Sequence, residues 1–260
     1  MPEGPSLVIA REEMRRFAGR KVLAASGNAK LDMAKLENQK LVDIKTWGKH
    51  LLLCFKGFTI RIHFLMFGTY RINEKKEAVP RLHLQFSKGE LNFYTAAVKM
   101  IEEPLDSLYD WTADVLSPEW DEKAAIKKLK KVPGMLVVDA LLDQQIFSGV
   151  GNIIKNEVLY RIRVDPRNKV GDLPPKKLRA LAEQARFYSF DFLEWKKAFV
   201  LKKHWLAHTK KTCNRDGGKI VKEYLGKTQR RTFYCPACQE LFKASSKKKP
   251  SRIRTKEPKK

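Results

Sequence analysis

A chain of 260 residues with 53 Lys and Arg against 29 Asp and Glu has a net charge of +24, far more than solubility requires. Such a surplus points to a polyanionic partner, although a ribosome-associated protein or a binder of acidic proteins would also carry it. Hydrophobic residues make up 43% of the sequence, enough for two cored domains. No apolar run reaches bilayer length and no signal-peptide pattern opens the chain, which excludes a membrane role and leads us to expect a cytoplasmic protein.

The chain begins Met1-Pro2-Glu3-Gly4. Removal of Met1, which a small second residue permits, would expose the secondary amine of Pro2 beside a carboxylic acid. A terminal amine with a pKa of about 7.7–8 is substantially unprotonated at neutral pH. Attack by such an amine on a sugar C1′ gives an iminium, which is an electron sink. Many unrelated proteins also begin Met-Pro, and a nearby Glu serves equally as charge at a helix start. Residues 5–18 place Leu7, Ala10, Met14 and Phe17 at helical spacing.

From Lys21 to about Met100 short β-rich runs follow: Leu41–Thr46, His50–Phe55, Thr59–Phe64, Gly68–Ile72, Leu82–Phe86 and Leu91–Tyr94. Lys56-Gly57 and Ser87-Lys88-Gly89 read as hairpin turns, and the whole as an antiparallel sandwich or barrel, with Cys54 as a buried core thiol. Helical segments are expected at 121–131, 135–146, 151–160, 174–187 and 189–203. Between the second and third, Ser148-Gly149-Val150-Gly151-Asn152 forms a tight turn whose N–H groups and helix dipole suit a phosphate, with Asn152 at or near the N-cap. An ordinary helix–turn–helix connection fits that string as well.

Further on, Cys213 and the pair Cys235-Pro236-Ala237-Cys238 have the spacing of a zinc ribbon lacking one ligand. Asp216 stands where the second cysteine is expected, His208 competes for the same role, and a hairpin without metal is the third possibility. Residues 244–260 read as a disordered basic tail.

These motifs, in this order, resemble the formamidopyrimidine-DNA glycosylase and endonuclease VIII family, the Met1–Pro5 start being similar to its endonuclease VIII branch. The resemblance covers residues 1–243. It implies an α+β protein: an N-terminal β-sandwich domain with a leading helix (1–120), a helix–two-turns–helix domain (121–208) and a zinc-finger hairpin (209–243), where Cys213, Asp216, Cys235 and Cys238 are the candidate Zn2+ ligands and the fourth, Asp216, stays open against His208. It implies Pro2 as nucleophile, Glu3 in ring opening and proton transfer, and Lys49 assisting at the phosphate beside the lesion. Asn152 and Arg230 would bind phosphate, while Leu65, Met66 and Phe67 would fill the gap left by a flipped nucleotide; without the resemblance, 65–67 read as a core strand.

The implied activity is that of a bifunctional DNA glycosylase and AP lyase, a monomer acting on damaged double-stranded DNA by β,δ-elimination, with oxidised pyrimidines favoured over oxidised purines. In a bacterium it would lie at the nucleoid. Two departures stand out: Tyr94–Met100 lacks the void-filling arginine of the formamidopyrimidine branch, and Ser6 replaces the glutamate usual after the second proline. A non-catalytic lesion-binding protein is therefore the competing expectation, which the Pro2, Glu3 and Lys49 triplet opposes.

Overall fold

The computed structural model describes residues 2–242, so Met1 and the tail expected at 244–260 lie outside the described residues. Helix α1 (Gly4–Met14) carries Pro5 in its first turn, where a missing N–H costs nothing. It continues as a 3-10 turn through Phe17, and Leu7, Ala10, Met14 and Phe17 are buried against the sheet.

Six antiparallel strands follow: β1 (Val22–Ser26), β2 (Asp43–Trp47), β3 (His50–Phe55), β4 (Phe58–Ile72), β5 (Leu82–Phe86) and β6 (Gly89–Ile101), in the order β1-β5-β6-β4-β3-β2. Backbone bonds from Val22 to Gln39 and from Leu41 to Arg20 draw the β1 edge toward the segment that leads into β2. One core then holds Val22, Ile44, Leu51, Leu53, Ile60, Ile62, Leu84 and Phe93. Burial alternates along β5, as one buried face requires, whereas β3 buries Leu51, Leu52 and Leu53 in succession because Leu52 packs with Trp47 and Tyr109 in a separate cluster.

The runs expected at 59–64 and 68–72 belong to one strand, β4. Its pairing with β6 slips between Phe64 and Thr69, so that Leu65–Gly68 bulge out opposite Thr95. Leu65, Met66 and Phe67 are 45%, 56% and 79% exposed, a projection rather than a core strand. Cys54 is half-buried, not a core thiol: it lies beside the satellite cluster of Trp47, Leu52 and Tyr109.

A short helix α2 (Leu105–Leu108) leads into the helical region of α3 (Glu122–Lys130), α4 (Val137–Leu142), α5 (Asn152–Arg161) and α6 (Pro175–Lys197). Asp121 caps α3 by accepting from Ala124 N at 3.0 Å. The two helices expected at 174–187 and 189–203 are one helix ending at Lys197. Nothing at 187–189 breaks it; Tyr188 is buried, and Ser189 Oγ donates to Ala185 O at 2.6 Å within the helical register. The helix expected over 135–146 is confined to Val137–Leu142, because Asp143 turns the chain and accepts from Gln145 N. Strands β7 (Val221–Leu225) and β8 (Arg230–Tyr234) form the terminal hairpin. Among the described residues no helix is long and apolar enough to cross a membrane.

Candidate active site and metal centre

Glu3 precedes α1 but caps another helix. Its Oε1 accepts from Ile153 N at 2.7 Å, and its Oε2 accepts from Gly151 N and Ile154 N, both at 3.2 Å. These N–H groups are among those a helix start leaves without partners, and the dipole of α5 favours a negative charge there. Asn152, expected at or near the N-cap, is the first helical residue, and Gly151 is the cap, because the Glu3 carboxylate fills the capping position. A Cβ on Gly151 would lie 2.4 Å from Glu3 Cγ and Cδ. Gly4 N donates to Gly149 O at 2.9 Å, so the chain start and the turn before α5 are in backbone contact.

Glu3 is 4% exposed. Burial pushes its carboxyl pKa up, while the bond from Ile153 N, the charge of Lys49 and the bonds from Ile154 and Gly151 pull it down without prevailing. Burial pushes Lys49 down, Glu3 opposes that, and Arg230 adds to it. Burial thus shifts the carboxyl up and the lysine down, each toward its neutral form, while their mutual attraction opposes both shifts.

Lys49 follows Gly48, whose φ of +53° suits glycine and whose pro-Cβ position lies 2.0 Å from Ser148 Oγ. Gly48 N donates to the buried Asp114 at 2.8 Å, and the other carboxylate oxygen of Asp114 accepts from Leu116 N at 2.9 Å. Asp114 therefore fixes the turn that presents Lys49. Nothing in the surrounding sequence signals this role. Asp114→Ala leaves two amides without their acceptor and is expected to cost about 3 kcal/mol in urea unfolding.

A cleft of 430 Å³ is lined by Pro2, Glu3, Lys49, Met66, Asn152 and Arg230, together with His208 and Arg231. Asn152 Nδ2 donates to Arg231 O at 3.0 Å, which leaves its second N–H for another acceptor. Residues distant in sequence thus present an amine precursor, a carboxyl, a lysine, an amide and an arginine to one space. A larger cavity of 1110 Å³ shares Pro2, Glu3 and Met66 with this cleft and adds Phe67. Leu65, on the same bulge, lines neither.

Lys155, fully buried, donates to Thr232 Oγ1 at 2.8 Å and ties the hairpin to α5, a role its sequence neighbours do not signal. Burial pushes its pKa down to about 7. A lysine lowered on folding contributes stability that is present above the ordinary lysine pKa and lost as pH falls toward 7. Wild-type protein is therefore expected to gain stability relative to Lys155→Met between pH 7 and 9.5, measured as the difference in unfolding midpoints.

The donor atoms of Cys213, Asp216, Cys235 and Cys238 lie within 4.8 Å of one another. Cys213 Sγ and Cys238 Sγ are 3.6 Å apart, and Asp216 Oδ2 is 3.1 Å from Cys235 Sγ. Tetrahedral zinc with bonds of about 2.3 Å separates two sulfurs by about 3.8 Å, so the donor set fits a structural zinc ion. His208 lies elsewhere, its Nδ1 3.0 Å from Asn156 Nδ2 and its ring edge-on to Phe233. Asp216, not His208, is therefore the fourth member of the cluster.

Comparison with known proteins matches residues 1–97 to the formamidopyrimidine-DNA glycosylase N-terminal domain and residues 112–187 to the formamidopyrimidine-DNA glycosylase H2TH domain. Human Endonuclease 8-like 3 is 32% identical over 206 residues, covering 76% of this chain and 34% of that protein. The chain spans about a third of the length of that relative. Probable endonuclease 8 2 of Streptomyces coelicolor is 25% identical over 264 residues, covering 92% of this chain and 94% of that protein. Among solved structures, a viral DNA glycosylase superposes with a TM-score of 0.81 at 20% identity, covering 92% of this chain and 100% of that one. Lactococcus lactis formamidopyrimidine-DNA glycosylase bound to DNA containing an AP site gives 0.81 at 21%, covering 92% of this chain and 99% of that one. These two likenesses establish the fold.

Proposed function

This chain belongs to the formamidopyrimidine-DNA glycosylase and endonuclease VIII family, and from that premise we propose that it is a DNA glycosylase of base-excision repair with AP lyase activity. The observation that carries the reading is the meeting of Pro2, Glu3, Lys49, Asn152 and Arg230 around one cleft. Glu3 also caps α5, but that structural role does not call for Pro2 and Lys49 on the same cleft.

After removal of Met1, the Pro2 nitrogen attacks C1′ of the damaged nucleotide. The C1′–base bond breaks and the base leaves with a proton. Glu3 gives a proton to the ring oxygen as the sugar opens, and the nitrogen lone pair forms the C1′ iminium. The iminium acidifies the C2′ proton; its loss expels the 3′ phosphate, and a second elimination expels the 5′ phosphate. Lys49, Arg230 and the free N–H of Asn152 hold phosphate oxygens during these steps.

The nucleotide must leave the helix to reach Pro2, and the exposed Leu65, Met66 and Phe67 enter the vacated stack. Oxidised pyrimidines are the favoured substrates, in duplex DNA, for a monomer whose single chain carries the whole site. On this reading 1–120 is the catalytic domain, 121–208 and the finger at 209–243 grip the DNA, and Cys213, Asp216, Cys235 and Cys238 hold a zinc ion that keeps the finger folded.

Borohydride reduction on a duplex containing thymine glycol tests the proposal. A covalent adduct mapped to Pro2, from protein whose intact mass shows loss of Met1, is the expected result. Absence of any adduct on thymine glycol, oxidised guanine and an abasic site would leave a lesion-binding scaffold.

A further inference from the structure

The turn between β7 and β8 is closed on itself: Gln229 N donates to Gly226 O at 3.2 Å, and Gln229 Nε2 donates to the same oxygen at 2.8 Å. It is also tied to a helix 88 positions earlier in the chain. Asp139, in the first turn of α4, accepts from Lys227 N through its Oδ1 at 2.9 Å. Gly226 has φ of +77°, and a Cβ there would lie 2.3 Å from that same oxygen. The carboxylate is thus seated directly on the turn, in a place that only glycine leaves open.

Arg230 opens β8 directly after this turn, paired with Leu225. Beyond it the strand is held by α5: Asn156 Oδ1 accepts from Phe233 N at 3.2 Å, and Lys155 donates to Thr232 Oγ1. Before it, the tie to Asp139 holds the turn. An arginine meets one phosphate repeatedly only if its backbone is fixed relative to Lys49 and Asn152 on the other walls of the cleft. A carboxylate in the first turn of a helix also has an ordinary explanation, its attraction to the helix dipole. That role needs charge and no partner, whereas the seat on Gly226 and Lys227 needs an acceptor oxygen and no charge.

An aspartate repels a polyanion, so by charge alone its removal should strengthen DNA binding. Resting on the reading above, in which Arg230 binds phosphate, we propose the opposite sign: Asp139 is a positioning residue that holds the hairpin turn so that Arg230 meets a DNA phosphate, and its loss weakens binding.

The test measures affinity for a duplex with an uncleavable abasic analogue, over a range of salt, for Asp139→Ala, Asp139→Asn, Arg230→Ala and Asp139→Ala combined with Arg230→Ala. Asp139→Ala removes the acceptor and is expected to bind about fivefold more weakly, the effect of one lost hydrogen bond. Its salt slope should be lower by about one, as for Arg230→Ala. Asp139→Asn keeps an acceptor oxygen without the charge and should stay within about twofold of wild type. The double variant should stay within about twofold of Arg230→Ala alone, because both changes remove the same contact. Tm should remain within about 2 °C of wild type throughout, since the tie lies at the surface. Asp139→Ala binding as tightly as wild type or more so, an equal loss in Asp139→Asn, losses that multiply in the double variant, or a Tm lowered by about 4 °C or more in Asp139→Ala would overturn the inference. Arg230→Ala binding like wild type would instead overturn the phosphate role of Arg230, and this inference with it.

Discussion

A Gly151→Ala protein is expected to lose about 10²-fold or more in the rate of borohydride-trapped adduct formation, a loss as deep as that of Glu3→Gln. The backbone at Gly151, with φ of −122°, accepts alanine without strain. The obstacle is the Glu3 side chain, whose Cδ would lie 2.4 Å from the new Cβ. That carboxylate cannot swing aside freely, because doing so abandons the N–H groups of Gly151, Ile153 and Ile154 in a buried place. Both substitutions remove the same group from the same position, so the double variant should be no slower than the slower single one by more than about threefold. Binding to a duplex with an uncleavable abasic analogue should change little by comparison. Adduct formation at the wild-type rate in Gly151→Ala would mean that the observed Glu3 position is not the one used in chemistry.

The candidate site residues were legible in short strings, Pro2 with Glu3 at the start and Asn152 after two glycines, while Lys49 and Arg230 were singled out only by the family resemblance. Their mutual placement was not, since it depends on contacts such as Glu3 to Gly151 and Asp114 to Gly48, which join residues far apart in sequence. Strand positions followed from alternation and from the Lys56-Gly57 turn, where Phe55 pairs with Phe58. The unity of β4 escaped because Leu65-Met66-Phe67-Gly68 interrupts alternation; only the facing Thr95, in a left-handed conformation with φ of +49°, shows that the strand bulges and resumes. The break expected in α6 is absent because Tyr188 is buried in the helical core, so tertiary packing favours continuation. Lys155 was invisible for a further reason: a lysine in a helix usually reads as surface, and its burial requires the hairpin, 77 positions onward, to cover it.

Zinc content should separate the residues of the finger sharply. Purified protein is expected to carry one zinc ion, Cys235→Ser to lose it, and Asp216→Ala to retain it at least about tenfold more weakly, by competition with a chromogenic chelator. Asp216→Cys should hold the metal more tightly than wild type, because a thiolate is the softer and commoner ligand at a closed zinc site. His208→Ala should leave zinc content unchanged, since its Nδ1 faces Asn156 rather than the cluster; loss of zinc in that variant but not in Asp216→Ala would reverse the assignment. The hairpin's own apolar cluster is small, Ile220 and Phe233 packing with Tyr160 and Ala207, and cannot fix two strands by itself. Removal of the metal leaves the attachments from Lys155 to Thr232 and from Asn156 to Phe233. The hairpin should therefore loosen first at its cysteine end while the six-stranded sheet keeps its unfolding midpoint. Arg230, at the other end of β8, then loses a rigid support, and DNA affinity is expected to fall by about tenfold or more, with a reduced dependence on salt as that phosphate contact disappears.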